Sequence, residues 1–156
     1  MKIRMNDNLT QEHARILREA LRGHPLETII TLALVTGMRR EELLSLKWQD
    51  IDLEKREVQV LSSKTMKSRT ILVPEEITEL LERHHQRQME ARLVAGIAWP
   101  DLGLVFPITR DQLLSGFEEI LEQAGLPSFT FHELRAFRLR ALFEQIRSAK
   151  VRWDAE

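Results

Sequence analysis

The sequence contains no cysteine and no tyrosine. Without cysteine there can be no disulfide, no thiol nucleophile, no zinc–thiolate site and no iron–sulfur cluster. Without tyrosine there is no phenolic hydroxyl to attack, donate or stack. Long apolar runs are missing as well. The longest, Ile29 to Val35, is far too short to cross a bilayer and is closed by Arg39 and Arg40. The N-terminal stretch Met1-Lys2-Ile3-Arg4-Met5-Asn6-Asp7 has no apolar signal core, so a cytoplasmic location is expected. There is no internal repeat, no low-complexity tract and no linker separating two domains.

The chain's 156 residues are 43% hydrophobic and 30% charged, a globular balance for one domain with its own core. The net charge of −1 names no partner, but its distribution is uneven. From Asp101 to Gly125 there are five acidic residues and one basic, Arg110. From Phe131 to Arg152 there are six basic residues and two acidic. Lys64 to Arg69 adds three cations and no acid. A neutral protein with such patches can still present one face to a polyanion. Solvated helix faces would give the same count.

Periodicity predicts a mainly α protein with a small antiparallel β-sheet, an α+β fold. Thr10 is placed to cap a first helix in which Ile16, Leu17, Ala20 and Leu21 recur at helical spacing before Gly23. Pro25 opens a second helix, apolar on most sides through Val35 and broken by Gly37, which reads as central and buried. A short helix from Arg40 turns Leu43, Leu44 and Leu46 inward and ends near Trp48. Glu57-Val58-Gln59-Val60-Leu61 alternates as a half-buried strand, and Thr70 to Val73 is a second strand across a polar hairpin. Pro74-Glu75-Glu76 starts a long helix reaching about Val94. Gly96 to Gly103 is a loop, and Leu104-Val105-Phe106 a short strand or turn. Thr109-Arg110-Asp111-Gln112 and Thr130-Phe131-His132-Glu133 are capping boxes that start two further helices. The first ends at Gly125; the second carries Phe131, Leu134, Phe137, Ala141 and Leu142 as its apolar stripe.

Three segments set cations beside structural breaks: Thr36-Gly37-Met38-Arg39, Lys64 in the hairpin, and His132-Glu133-Leu134-Arg135 in a capped first turn. His132 and Arg135, three apart, share a helix face. Two arginines, a histidine and a lysine suit phosphate chemistry: arginine binds phosphate bidentately and stabilises charge in a transition state. Histidine can donate a hydrogen bond or move a proton, and lysine can protonate a departing oxygen. His84-His85 invites a metal reading, but adjacent helical residues point apart and no third ligand completes the set. His132-Glu133 fails as a zinc-protease motif because Ala136 stands where the second histidine belongs. Glu42 is expected to hold an arginine or a backbone group. Trp48, Trp99 and Trp153 are expected to pack rather than stack on bases.

These segments resemble the signature boxes of the tyrosine recombinase (phage integrase) family. Thr36-Gly37-Met38-Arg39-Arg40-Glu41-Glu42-Leu43, followed by Leu44 to Asp52, is similar to the family's T-G-x-R-x-x-E-L box. Ser63-Lys64-Thr65-Met66-Lys67-Ser68-Arg69-Thr70, followed by a strand and Pro74, looks like the hairpin with the family's catalytic lysine. Ala124-Gly125-Leu126 and then His132-Glu133-Leu134-Arg135 resemble the A-G-L and H-x-L-R elements. The order holds across roughly residues 9 to 145, and three weak motifs in order make a strong one.

The resemblance implies a truncated tyrosine-recombinase catalytic-domain fold and roles for four residues. Arg39 matches the first catalytic arginine. Lys64 matches the lysine that protonates the 5′-oxygen leaving group, with Lys67 its competitor. His132 and Arg135 match the histidine and second arginine. It implies double-stranded DNA as partner, along with other recombinase protomers, and no metal, nucleotide cofactor, membrane or small-molecule substrate. It implies site-specific recombination through a 3′-phosphotyrosyl intermediate in the intact protein. The family's L-G-H box and nucleophilic tyrosine lie beyond the H-x-x-R helix, and its further DNA-binding domains precede the catalytic one. Residues 1–156 therefore read as a single partial catalytic domain, able to bind DNA phosphate but lacking the nucleophile. Ala136-Phe137 also stands where the family often has His-Thr or His-Ser. The rivals are a decayed recombinase kept as a DNA-binding regulator and a non-catalytic helical interaction module.

Overall fold

A computed structural model describes residues 9–62, 65–96 and 103–138. Helix α1 spans Gln11–Leu21, capped by Thr10: its hydroxyl accepts from the His13 N–H, and His13 Nδ1 accepts from the Thr10 N–H. Ala14, Leu17 and Leu21 are its buried stripe, while Ala20 stays exposed. Helix α2 begins at Glu27, two residues later than the Pro25 start the sequence suggests. The intervening turn explains the shift. His24 Nδ1 accepts the Leu26 N–H, and the Glu27 carboxylate accepts the Gly23 N–H, so the chain is still turning at Pro25. From Thr28 to Leu34 every residue of α2 is buried, which makes this helix the axis of the core, packed on α1 and on two helices described below.

Helix α3 is Arg40–Ser45, and a separate 3-10 turn follows at Trp48–Asp50. Strands β1 (Ile51–Asp52), β2 (Glu57–Leu61) and β3 (Ser68–Leu72) form one antiparallel sheet in that order. Val58 pairs with Ile71 and Val60 with Arg69, so the buried valines of β2 face the core. The second strand thus starts two residues before Thr70 and releases Val73, still buried, into the approach to α4. Helix α4 (Glu75–Ala95) packs on α2, as does α3; helix α5 (Arg110–Gln123) packs on α1 and has the Thr109–Gln112 capping box. A last helix, α6, is described over 131–138, where the Thr130 hydroxyl accepts the Glu133 N–H. Phe131 and Leu134 of its stripe are buried; Ala141, Leu142, Trp99 and Trp153 lie outside the described residues, as does most of the loop expected from Gly96 to Gly103. Among the described residues no helix is long and apolar enough to cross a membrane.

The two histidines of α4 are structural. His84 Nε2 lies 2.7 Å from the Val105 carbonyl, and Gln88 Nε2 donates to Leu104 O at 3.0 Å. Trp48 Nε1 donates to Gln88 Oε1 at 2.6 Å, and the His85 ring meets Trp48 edge-on. This polar latch holds the 103–106 segment on α4. Burial pushes the His84 imidazole below the ordinary histidine range, the Val105 hydrogen bond opposes that, and Arg87 and His85 add to the lowering. The unfolded chain therefore binds the proton more readily, and stability falls as pH drops through the ordinary histidine range. Urea unfolding from pH 7.5 to 5.5 is expected to show this slope in wild type. His84→Gln keeps a donor but cannot titrate, and should flatten it.

Candidate anion-binding site

The candidate site grows from the break between α2 and α3. Gly37 ends α2 in the left-handed conformation, φ 71°, and its N–H bonds to Ala33 O. The Thr36 hydroxyl donates to Leu32 O at 2.6 Å and accepts the Met38 N–H, and Met38 is buried beneath the turn. The next residue, Arg39, is extended and exposed, and it makes no ion pair among the described residues. Its backbone N–H donates to Glu42 Oε1 at 2.8 Å.

Glu42 does more than cap α3. Its side chain is only 5% exposed, and it takes a two-pronged bond from Arg69: Nη1 to Oε2 at 2.8 Å and Nη2 to Oε1 at 3.0 Å. Burial pushes the Glu42 carboxyl up, but the Arg69 fork, the Arg39 N–H and the charges of both arginines outweigh it. The net result lies below the ordinary carboxylate range. One carboxylate thus ties strand β3 to the turn that presents Arg39. The sequence reading anticipated that Glu42 holds an arginine or a backbone group, and it holds both. It did not single out Arg69. The available signal was register: Arg69 stands opposite the buried Val60, on the sheet face that turns toward the core, where its guanidinium can reach Glu42.

Helix α6 approaches the same turn from the other side. Arg135 Nε donates to Gly37 O at 3.1 Å, so α6 is pinned to the backbone two residues before Arg39. His132, one turn earlier on the same face, is exposed. Arg39, His132 and Arg135 line one cleft of about 480 Å³, together with Arg40, Ser128 and Thr130. Arg40 is engaged by Glu41 at 2.8 Å. Three of the four candidate residues therefore meet; the fourth, Lys64, lies outside the described residues. A larger groove of about 960 Å³ between α1 and α4, bordered by Arg18, Ile77 and Arg83, contains none of them. Among the described residues no group of three or more His, Cys, Asp or Glu side chains could hold a metal ion. The cleft can offer planar guanidinium donors and an imidazole to a tetrahedral anion.

A family model described as the phage integrase family matches residues 7–151. A tyrosine recombinase XerC-like protein of Caldanaerobacter subterraneus subsp. tengcongensis is 33% identical over 89% of this chain and 44% of its own length. An integrase of Streptomyces ambofaciens is 30% identical over 75% of this chain and 36% of its own length. The chain spans less than half the length of these curated relatives. Among solved structures, the XerA recombinase superposes with a TM-score of 0.76 at 23% identity, covering 92% of this chain and 53% of that one. The lambda integrase catalytic core gives 0.67 at 23% identity, covering 90% and 85%. These two show a shared fold. With the family's pattern running through nearly its whole length, the chain belongs to the phage integrase family of tyrosine recombinases.

Proposed function

We propose that this chain is the phosphate-gripping part of the catalytic domain of a site-specific DNA recombinase or integrase. The observation that carries the reading is the cleft that Arg39 shares with His132 and Arg135, residues more than ninety positions further along the sequence. In this reading the guanidinium of Arg39 binds oxygens of the scissile phosphate, and so does whatever donor capacity Arg135 has left beside its bond to Gly37. His132 donates a hydrogen bond as charge grows in the transition state. Lys64, by the family resemblance, protonates the 5′-oxygen that leaves. Relatives of this fold include XerH bound to its difH substrate and a lambda integrase tetramer bound to a Holliday junction. They support double-stranded DNA and other protomers as partners here.

Duplex binding followed against salt tests the reading. Each phosphate contact releases counterions, so log affinity should fall steeply with log salt. Arg39→Ala should weaken binding by about 1–3 kcal/mol, similarly for every DNA sequence, because phosphate contacts position rather than specify. A wild-type slope near zero would instead favour a protein-interaction module.

These 156 residues alone should form no covalent adduct with a suicide substrate, because they hold no tyrosine oxygen to attack. An adduct seen on denaturing gels would mean that another residue serves as nucleophile.

A further inference from the structure

Arg40, the first residue of α3, lines the cleft beside Arg39, His132 and Arg135, yet its charge is tied to its own neighbour. Adjacent helical residues point apart, so the pair forms only because the Arg40 side chain folds back across the start of the helix. Nε at 3.2 Å and Nη2 at 2.8 Å both donate to Glu41 Oε1. Both bonds end on one oxygen, unlike the two-oxygen fork that Arg69 makes with Glu42. The Glu41 side chain is 63% exposed and that of Arg40 23%. A pair whose carboxylate stands in water adds little stability and exchanges readily for another anion.

Each charge has a new partner within reach. The Arg40 hydrogen bonds hold the Glu41 carboxyl below the ordinary carboxylate range, its own backbone N–H adds to this, and the charges of Arg40 and Arg110 help to outweigh burial. Arg110, exposed at the start of α5, thus already acts on Glu41 and can neutralise it without Arg40. For Arg40 the new acceptor is a phosphate. Duplex DNA carries phosphates in close succession, so seating one beside Arg39 brings the next to the adjoining wall. Phosphate also offers a guanidinium two oxygens at once, which Glu41 does not do here. Glu42 does not compete, because Arg69 and the Arg39 N–H already engage it.

We propose that Arg40 is a second phosphate-binding arginine guarded by Glu41. When duplex DNA enters the cleft, Arg40 leaves Glu41 for the phosphate next to the one gripped by Arg39, and Glu41 passes to Arg110. This rests on the DNA-binding function proposed above and adds to it a charge exchange built into the start of α3.

The test follows the affinity of this chain for a mixed-sequence DNA duplex against salt, in wild type, Glu41→Gln, Arg39→Ala and the double variant Arg40→Gln, Glu41→Gln. The double variant removes one charge of each sign, so the net charge of the cleft is unchanged. Glu41→Gln frees Arg40 and is expected to tighten binding several-fold. The double variant is expected to bind about tenfold more weakly than wild type, the size of one lost charge-assisted contact. Its salt dependence should be shallower by about 0.9 in log–log slope, the mark of one phosphate contact. A double variant with wild-type affinity and slope, beside an Arg39→Ala variant that has lost affinity, would show Arg40 and Glu41 to be a surface pair only. That result would overturn the proposal and leave DNA binding intact. Unchanged affinity in Glu41→Gln would overturn the guard in the same way. A wild-type chain that does not bind the duplex would overturn both this proposal and the function beneath it.

Discussion

Arg69→Ala is expected to destabilise the protein by about 3 kcal/mol near neutral pH, and Glu42→Ala by about 2 kcal/mol. The order follows from burial. The Glu42 side chain is 5% exposed and Arg69 is 42% exposed. Removing Glu42 frees a guanidinium that can turn to water, so the full penalty of an orphaned buried charge does not apply. Removing Arg69 leaves a carboxylate inside the protein with only the Arg39 N–H for support. That is the costly half of the pair.

The two arrangements also respond to pH to different extents. In wild type the Glu42 carboxyl is held below its ordinary range. Its contribution is present above the unfolded value and is lost as pH falls through the folded one. With Arg69 gone, only the Arg39 N–H and charge still oppose burial, so the carboxyl is held down less than in wild type. The variant therefore loses less stability than wild type as pH falls. The gap between wild type and Arg69→Ala should narrow steadily as pH is lowered from 7 to 4. Denaturant midpoints across that range measure it. A gap that stays constant would show that Glu42 is not the charge responsible, and that Arg69 contributes only packing.

The Glu42–Arg69 pair also marks how far the sequence could be read. Local rules located most elements. The alternation from Glu57 to Leu61, the capping residues Thr10 and Thr109, and the uniformly apolar α2 all depend on neighbours within a few residues. Where a local rule failed, a competing local bond had won: at Pro25 the turn is closed by His24 and Glu27, which delays the helix. At Trp48 the chain leaves α3 early, because Leu46 O and the Trp48 N–H bond to the 103–105 segment instead. The candidate site was legible for a different reason. The boxes of Arg39 and of His132 and Arg135 are compact motifs that put their cations at a glycine break or in a capped first turn, whereas the Lys64 box is a hairpin. The tie between Arg69 and Glu42 was not legible, because it joins a strand to a helix start 27 residues earlier. Nor was the bond from Arg135 to Gly37, across 98 residues. Such pairings depend on how helices and sheet pack, which periodicity does not specify.

Gly37 is where that long-range packing should be easiest to break. Gly37 and Gly23 sit at almost the same positive φ, 71° and 73°. A side chain at either suffers the left-handed backbone penalty, about 1–2 kcal/mol. Their surroundings differ. A Cβ at Gly23 would meet nothing within 4 Å. A Cβ at Gly37 would lie 3.3 Å from Arg138 Cγ, 3.5 Å from Arg138 Cβ and 3.7 Å from Arg135 Cγ. Helix α6 would have to yield there, and it carries His132 and Arg135. Gly23→Ala should therefore cost only the backbone term and leave anion affinity untouched. Gly37→Ala should cost about 1 kcal/mol more through the tight contact. It should also loosen the Arg135–Gly37 bond and weaken binding of sulfate or duplex DNA several-fold. Thermal unfolding with and without sulfate separates the two effects, since ligand-linked stabilisation falls only if the cleft itself has changed. Equal behaviour of the two alanine variants in both measurements would mean that α6 does not depend on Gly37 for its seat, and that the cleft is held by other contacts.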